Sequence, residues 1–167
     1  MVGLDVSSSM TWDTCGSIEL QPVEVAAAMA VTIMRTEPYY QIYGFASDIR
    51  NLNLNARMSV NDVMSVTKAM AFGSTNPSAL IRHAHDQAIQ VDTFIVITDN
   101  EVNTGTHPYE ELLRYRRNIG IPAKLIVVAC TPTPFTIADP NDSGMLDISG
   151  ADSNLPTLIA DFSAGRI

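Results

Sequence analysis

Asp5-Val6-Ser7-Ser8-Ser9 places a carboxylate and two hydroxyls at alternate positions, directly after the apolar run Val2-Gly3-Leu4. Where a strand gives way to a loop, alternate residues can turn to one side, so three oxygens can converge on one point. Gly73-Ser74-Thr75-Asn76 supplies another hydroxyl just ahead of a helical stretch, and Thr98-Asp99-Asn100-Glu101 a second carboxylate at the end of another apolar run. Asp5, Ser7, Ser9, Thr75 and Asp99 are all hard oxygen donors, which suit Mg²⁺, Mn²⁺ or Ca²⁺ rather than zinc or copper. Mg²⁺ is the first expectation. Only two carboxylates offset the divalent charge, so the rest of an octahedral shell falls to water or to an acidic group from outside. Such an ion is bait for a partner's carboxylate or a phosphate. Taken singly, each piece has a plainer reading: Asp5 caps a turn, Thr75 is a turn hydroxyl, Asp99 is a solvated strand end. All three in this order, each at a strand end or a helix entry, favour the metal.

The elements that must position these residues alternate between short apolar runs and longer helical ones. That is the pattern of an α/β fold: an open, doubly wound, mostly parallel sheet with helices on both faces. Strands are expected over Val2 to Val6, Gln41 to Ala46, Thr93 to Thr98 and Lys124 to Ala129, with weaker ones at Arg50 to Leu54 and Met145 to Ile148. Phe94-Ile95-Val96-Ile97 and Leu125-Ile126-Val127-Val128 are continuous apolar runs, as strands buried on both faces require. Helices are expected from Pro22 to Thr36, from a Ser59/Asp62 capping box to about Met70, from Asn76-Pro77 to about Gln90, from Pro108 to the stop at Gly120, and over Pro156 to Phe162. In an open parallel sheet, loops at the carboxyl ends meet in one crevice where the strand order reverses, and the five oxygen donors belong to such loops.

The 167 residues suit one domain, 1–167, with no internal repeat. Met1 runs straight into what reads as a buried strand, so the start is expected to be a cut. Ten Lys and Arg against eighteen Asp and Glu give a net charge of −8, which disfavours nucleic acid and anionic membranes as direct partners. Between Leu125 and Gly165 lie five aspartates and no Lys or Arg. No membrane span is expected, because the longest apolar stretch, Val23 to Met34, is interrupted and short. Cys15 and Cys130 read as reduced, buried thiols of a cytoplasmic protein. No nucleotide cradle and no G-x-S-x-G elbow is present, and Ser7 and Ser9 have no evident base. Ser7 also replaces the second carboxylate that an aspartate phosphatase places there. The chain is therefore expected to be no enzyme and to have no catalytic residues. His107 is expected to cap the helix that begins at Pro108, with a ligand contact as the sharper alternative. His83 and His85 face different ways on one helix and make no joint site. Tyr39, Tyr40 and Tyr43 read as core and sheet edge.

Asp5-x-Ser7-x-Ser9, Thr75 and Asp99 resemble the metal-ion-dependent adhesion site (MIDAS) of von Willebrand factor A (vWA) domains, a Rossmann-like fold that the alternating elements match from end to end. The resemblance implies that Ser7, Ser9 and Thr75 contact the cation, that Asp5 and Asp99 hold it directly or through water, and that a ligand acid completes the shell. Thr98 to Glu101, His107-Pro108, Tyr115-Arg116, Ile121 to Val127, Phe135 to Pro140 and Gly144 to Asp147 are similar to the carboxy-terminal domain of the Ro 60 kDa autoantigen (TROVE) family. Full-length members are ribonucleoprotein components that bind noncoding Y RNAs, chiefly through a ring of helical repeats preceding this domain. The expected function is thus a non-catalytic, metal-dependent binding module that recruits a protein or ligand carboxylate, monomeric in isolation. The alternative is direct RNA contact, with the metal or Arg114, Arg116 and Arg117 touching phosphates.

Overall fold

The computed structural model describes residues 1–12, 14–15, 19–70, 74–99, 107–130 and 137–167. In chain order the elements are β1 (Val2–Asp5), a 3-10 turn (Ser8–Thr11), α1 (Pro22–Thr36), β2 (Ile42–Phe45), β3 (Ile49–Asn51), α2 (Val60–Ala69), α3 (Ala79–Asp86), β4 (Thr93–Thr98), α4 (Pro108–Ile119), β5 (Lys124–Ala129), β6 (Met145–Ser149) and α5 (Leu155–Ser163). The strands form one sheet in the order β3-β2-β1-β4-β5-β6. All pairings are parallel except β2 with β3, an edge hairpin in which Tyr43 faces Asn51.

Side chains alternate across the strands and so divide the core into two layers. Val2, Leu4, Ile95, Ile97, Ile126 and Val128 pack against α1, Val63 of α2, and Leu155, Ile159 and Phe162 of α5. Phe45, Phe94, Val96, Leu125 and Val127 pack on the other face, against Leu80, Ile81 and Ala84 of α3 and Leu112 and Tyr115 of α4. The expected doubly wound architecture is present. No helix among the described residues is long and apolar enough to cross a membrane.

Local signals explain most boundaries. The Ser59 N–H donates to Asp62 at 2.8 Å and the Asp62 N–H to the Ser59 hydroxyl at 3.2 Å, a reciprocal cap that opens α2. Gly120 takes φ +80° after α4, a left-handed stop that glycine adopts without steric cost. One helix is shorter than its sequence signals. Asn76-Pro77 does not start α3, because Asn76 Oδ1 accepts the Ser78 hydroxyl at 2.6 Å and the Asn76 carbonyl accepts the Ala79 N–H at 3.1 Å, which makes residues 76–78 a turn. At the other end Ala88 enters the left-handed region (φ +50°) and α3 stops at Asp86 instead of Gln90.

The strand order reverses between β1 and β4. From β1 the chain moves outward to β2 and β3, then returns to lay β4 on the opposite flank of β1. Asp5 closes β1, and Asp99 directly follows β4. These two carboxylates therefore flank the crevice that the topology opens.

Candidate metal centre

Asp5 is 1% exposed and Asp99 6%. Asp5 Oδ1 accepts the Ser7 N–H at 2.8 Å, which folds the chain sharply out of β1. The 3-10 turn that follows brings Ser9 back over Ser7, with their hydroxyl oxygens 3.0 Å apart. The Ser7 and Ser9 hydroxyls are thus brought together where the chain leaves β1. On the β4 side, the Thr98 hydroxyl donates to Asp5 Oδ2 at 2.7 Å across ninety-three residues of sequence, which sets Asp99 next to the same group. Thr75 is buried in the segment whose Asn76 N–H bonds the Ala46 carbonyl at 2.9 Å. Ala46 extends β2, whose Phe45 lies level with Asp5, so Thr75 reaches the same sheet edge.

Burial pushes the Asp5 carboxyl up to about 6, with the Asp99 charge adding to the effect and hydrogen bonds from Ser7 and Thr98 opposing it. Buried carboxylates side by side are unfavourable unless a cation neutralises them. No lysine, arginine or histidine pairs with Asp5 among the described residues. Two carboxylates and three hydroxyls make an all-oxygen donor set with a charge deficit, which fits a hard divalent cation. Among the described residues no group of three or more His, Cys, Asp or Glu lies together, so a softer, zinc-type cluster has no counterpart there.

Thr98 is the residue that motif reading passes over. Its hydroxyl holds Asp5 in place, and its only sequence signal is a threonine ending a β-branched run. A second layer ties the Thr75 loop to α4. Arg82 Nη2 donates to the Ser78 hydroxyl at 3.0 Å, and Arg82 Nε lies 3.6 Å from Oε1 of Glu111, itself 5% exposed. The other oxygen, Oε2, makes no hydrogen bond, and Arg114 Nη1 stands 3.8 Å from it.

Two expectations require correction. The trio Arg114, Arg116 and Arg117 is not a common phosphate surface. Arg116 is half-buried and spent on the protein, with Nε donating to the Ala123 carbonyl at 2.7 Å and the guanidinium paired with Asp142. That leaves Arg117 exposed and Arg114 turned partly toward Glu111. His107 occupies the N-cap position of α4, but its side chain makes no capping bond. Its ring packs on Tyr109 with centroids 4.6 Å apart, and its Nδ1 is buried without a hydrogen bond among the described residues. His83 packs on Tyr43 while His85 contacts Asp86 and Asn118, so they form no joint site. Gly73, Asn100, Glu101, Phe135 and Thr136, also named from sequence, lie outside the described residues.

With this geometry in view, comparison with known proteins is informative. The family model described as the Ro60 vWA domain matches residues 1–163. The RNA-binding protein RO60 of Deinococcus radiodurans is 40% identical over 169 residues, an alignment spanning 100% of this chain and 32% of that protein. The chain therefore spans about a third of that relative's length. A crystal structure of Deinococcus radiodurans RO (RSR) superposes with a TM-score of 0.89 at 39% identity, covering 99% of this chain and 34% of the other. A likeness of fold alone links the chain to proximal thread matrix protein 1 of the mussel byssus, solved with a zinc-occupied MIDAS motif (TM-score 0.60, 14% identity, 97% and 46% covered). A vWA-type sheet with two buried acids at its switch point, matched by the family model along nearly its whole length, makes this chain a member of the Ro60 vWA domain family.

Proposed function

We propose that residues 1–167 form a single non-catalytic binding domain in which Asp5, Ser7, Ser9, Thr75 and Asp99 hold a divalent cation, Mg²⁺ in the first instance, that recruits an acidic group of a partner. Mn²⁺ and Ca²⁺ suit the same donors. The observation that carries this reading is the pair of buried carboxylates at the β1/β4 switch point, Asp5 held, among the described residues, by neutral donors and raised to about 6. Positions that these five residues do not fill would fall to water or to an acidic group of the partner. In a longer Ro-type ribonucleoprotein of the cytoplasm, noncoding RNA of the Y type would be bound chiefly by a helical-repeat ring outside these residues. The present domain, monomeric and acidic, would add a metal-gated contact with protein.

Titration with Mn²⁺, followed by the loss of free-ion paramagnetic signal, tests the site. One ion should bind per chain, Mg²⁺ should compete, and Asp99→Ala should abolish binding. Two or more equivalent weak ions, or binding that survives Asp99→Ala, would remove the site from this crevice. A gel shift at low salt, where phosphate contacts are strongest, separates this reading from direct RNA binding. Tight RNA binding by the 167-residue chain would overturn the protein-partner assignment.

A further inference from the structure

Among the described residues the large exposed hydrophobics are Trp12, Leu20, Tyr39, Leu113 and Ile167. Two of the five, Trp12 and Leu20, stand at the ends of one segment between the metal loop and α1. The chain leaves the metal loop through Trp12, 73% exposed, and returns to α1 through Leu20, 44% exposed. The described residues at the two ends of this segment are tied by three hydrogen bonds. The Trp12 N–H bonds the Ser9 carbonyl at 2.9 Å, the Gln21 side-chain amide donates to the Thr11 carbonyl at 2.8 Å, and the Cys15 N–H bonds the Leu20 carbonyl at 2.7 Å. Gln21 is itself fixed to α1, since its N–H donates to Glu24 at 2.7 Å. Trp12 therefore stands on a braced turn, and three residues of chain hold its Cα within about 11 Å of that of Ser9.

We infer that Trp12 and Leu20 form the apolar half of the metal-centred site, selecting an acidic protein segment whose metal-bound Asp or Glu is flanked by a bulky apolar side chain. This rests on the metal reading above and adds what lies beside the metal. An exposed tryptophan braced at a binding centre has the character of an interface anchor, large in area and low in rotamer entropy. Charge decides the class of occupant. Residues 1–34 contain Asp5, Asp13, Glu19 and Glu24 and no Lys or Arg, and Glu19, next to Leu20, is exposed. A polyphosphate would bring several charges to one cation in a stretch without Lys or Arg, whereas a segment with a single carboxylate and apolar neighbours needs the cation alone.

Trp12 is the chain's one tryptophan, so its emission reports on the site directly. The probes are acetyl-Leu-Asp-Leu-amide, acetyl-Gly-Asp-Gly-amide and a short oligouridylate, each titrated into the chain in Mg²⁺ and in EDTA, with calorimetry alongside. In Mg²⁺ the leucine peptide should bind roughly tenfold more tightly than the glycine peptide and shift the emission to shorter wavelength. Followed by calorimetry, Trp12→Ala should erase that preference and bring the two peptides to equal affinity. Equal binding of the two peptides, or a preference that survives Trp12→Ala, overturns this inference and leaves the metal reading standing. Absence of any Mg²⁺-dependent peptide binding overturns the metal reading itself. If the oligouridylate binds more tightly than either peptide and changes the Trp12 emission, the surface belongs to RNA and the inference is wrong.

Discussion

Asp5→Asn should make the metal-free protein more stable and at the same time abolish its response to Mg²⁺. The folded chain keeps the Asp5 proton up to about pH 6, against an ordinary 3.8, mainly because burial penalises the charged form. Below pH 3.8 both folded and unfolded states are protonated. Between 3.8 and about 6 the unfolded chain releases the proton and the folded one retains it, so stability falls as pH rises through this window and then levels off. At 1.36 kcal/mol per pH unit, the loss at neutral pH is about 3 kcal/mol. Asparagine carries no charge to desolvate and still offers an oxygen to the Ser7 N–H, while the Thr98 hydroxyl can reverse to accept from its amide. Allowing for imperfect replacement, a gain of about 1–3 kcal/mol is expected in EDTA at pH 7.5, or a rise of roughly 3–10 °C in midpoint for a chain of this size. The Met1 amine, whose burial lowers it to about 6, also titrates near neutrality. Its contribution is common to both proteins and cancels in the difference. Mg²⁺ at a hundred times its Kd should raise the wild type by about 2.7 kcal/mol and leave the variant unmoved. The assay is thermal melting at pH 4.5, 6 and 7.5, with Mg²⁺ and with EDTA. An Asp5→Asn protein that melts below the wild type in EDTA at pH 7.5, or that still gains from Mg²⁺, refutes the reasoning.

Three other perturbations follow from contacts described above or adjoining them. Arg116→Ala removes the clamp on Asp142 and the bond to the Ala123 carbonyl; urea melts should show a loss of about 1–2 kcal/mol, since Asp142 keeps the Gly144 N–H and its access to water, with Mn²⁺ affinity unchanged. Tyr115→Phe deletes the hydroxyl that accepts the Val91 N–H at 2.8 Å and donates to the Ile89 carbonyl at 2.7 Å; about 1–3 kcal/mol should be lost, and the Val91 amide should exchange faster with solvent. Gly44→Ala places a Cβ 2.9 Å from Leu52 Cδ2 and 3.0 Å from Val6 Cγ1; about 1–3 kcal/mol of overpacking is expected, and because Val6 lies between Asp5 and Ser7, Mn²⁺ titration should show weakened binding as well.

The architecture is legible in the sequence because buried parallel strands are written as continuous apolar runs, and Phe94 to Ile97 and Leu125 to Val128 have no competing reading. Asp5 and Asp99 stand out for the same reason, each being an acid where such a run ends. What escapes is whatever depends on contacts between distant segments. The Thr98 hydroxyl looks like one more β-branched strand residue until β1 is laid beside β4. Arg116 looks like a free helix-end cation until the loop carrying Asp142 folds over it. Asn76-Pro77 carries a helix-start signature, but the Asn76 side chain is taken by Ser78 and the first helical turn is displaced.

The long sequence span of the Thr98 to Asp5 bond also has a consequence for folding kinetics. The strands that carry the two acids are neighbours in the sheet but are separated in sequence by α1, β2, β3, α2 and α3. A seam closed over such a sequence distance forms late, because the loop entropy must be met before the contact forms. The cation has no assembled site to bind before that seam closes. Mg²⁺ should therefore slow unfolding in proportion to its occupancy and leave the refolding rate nearly unchanged, so that the metal acts on how long the folded domain persists and not on how quickly it is reached.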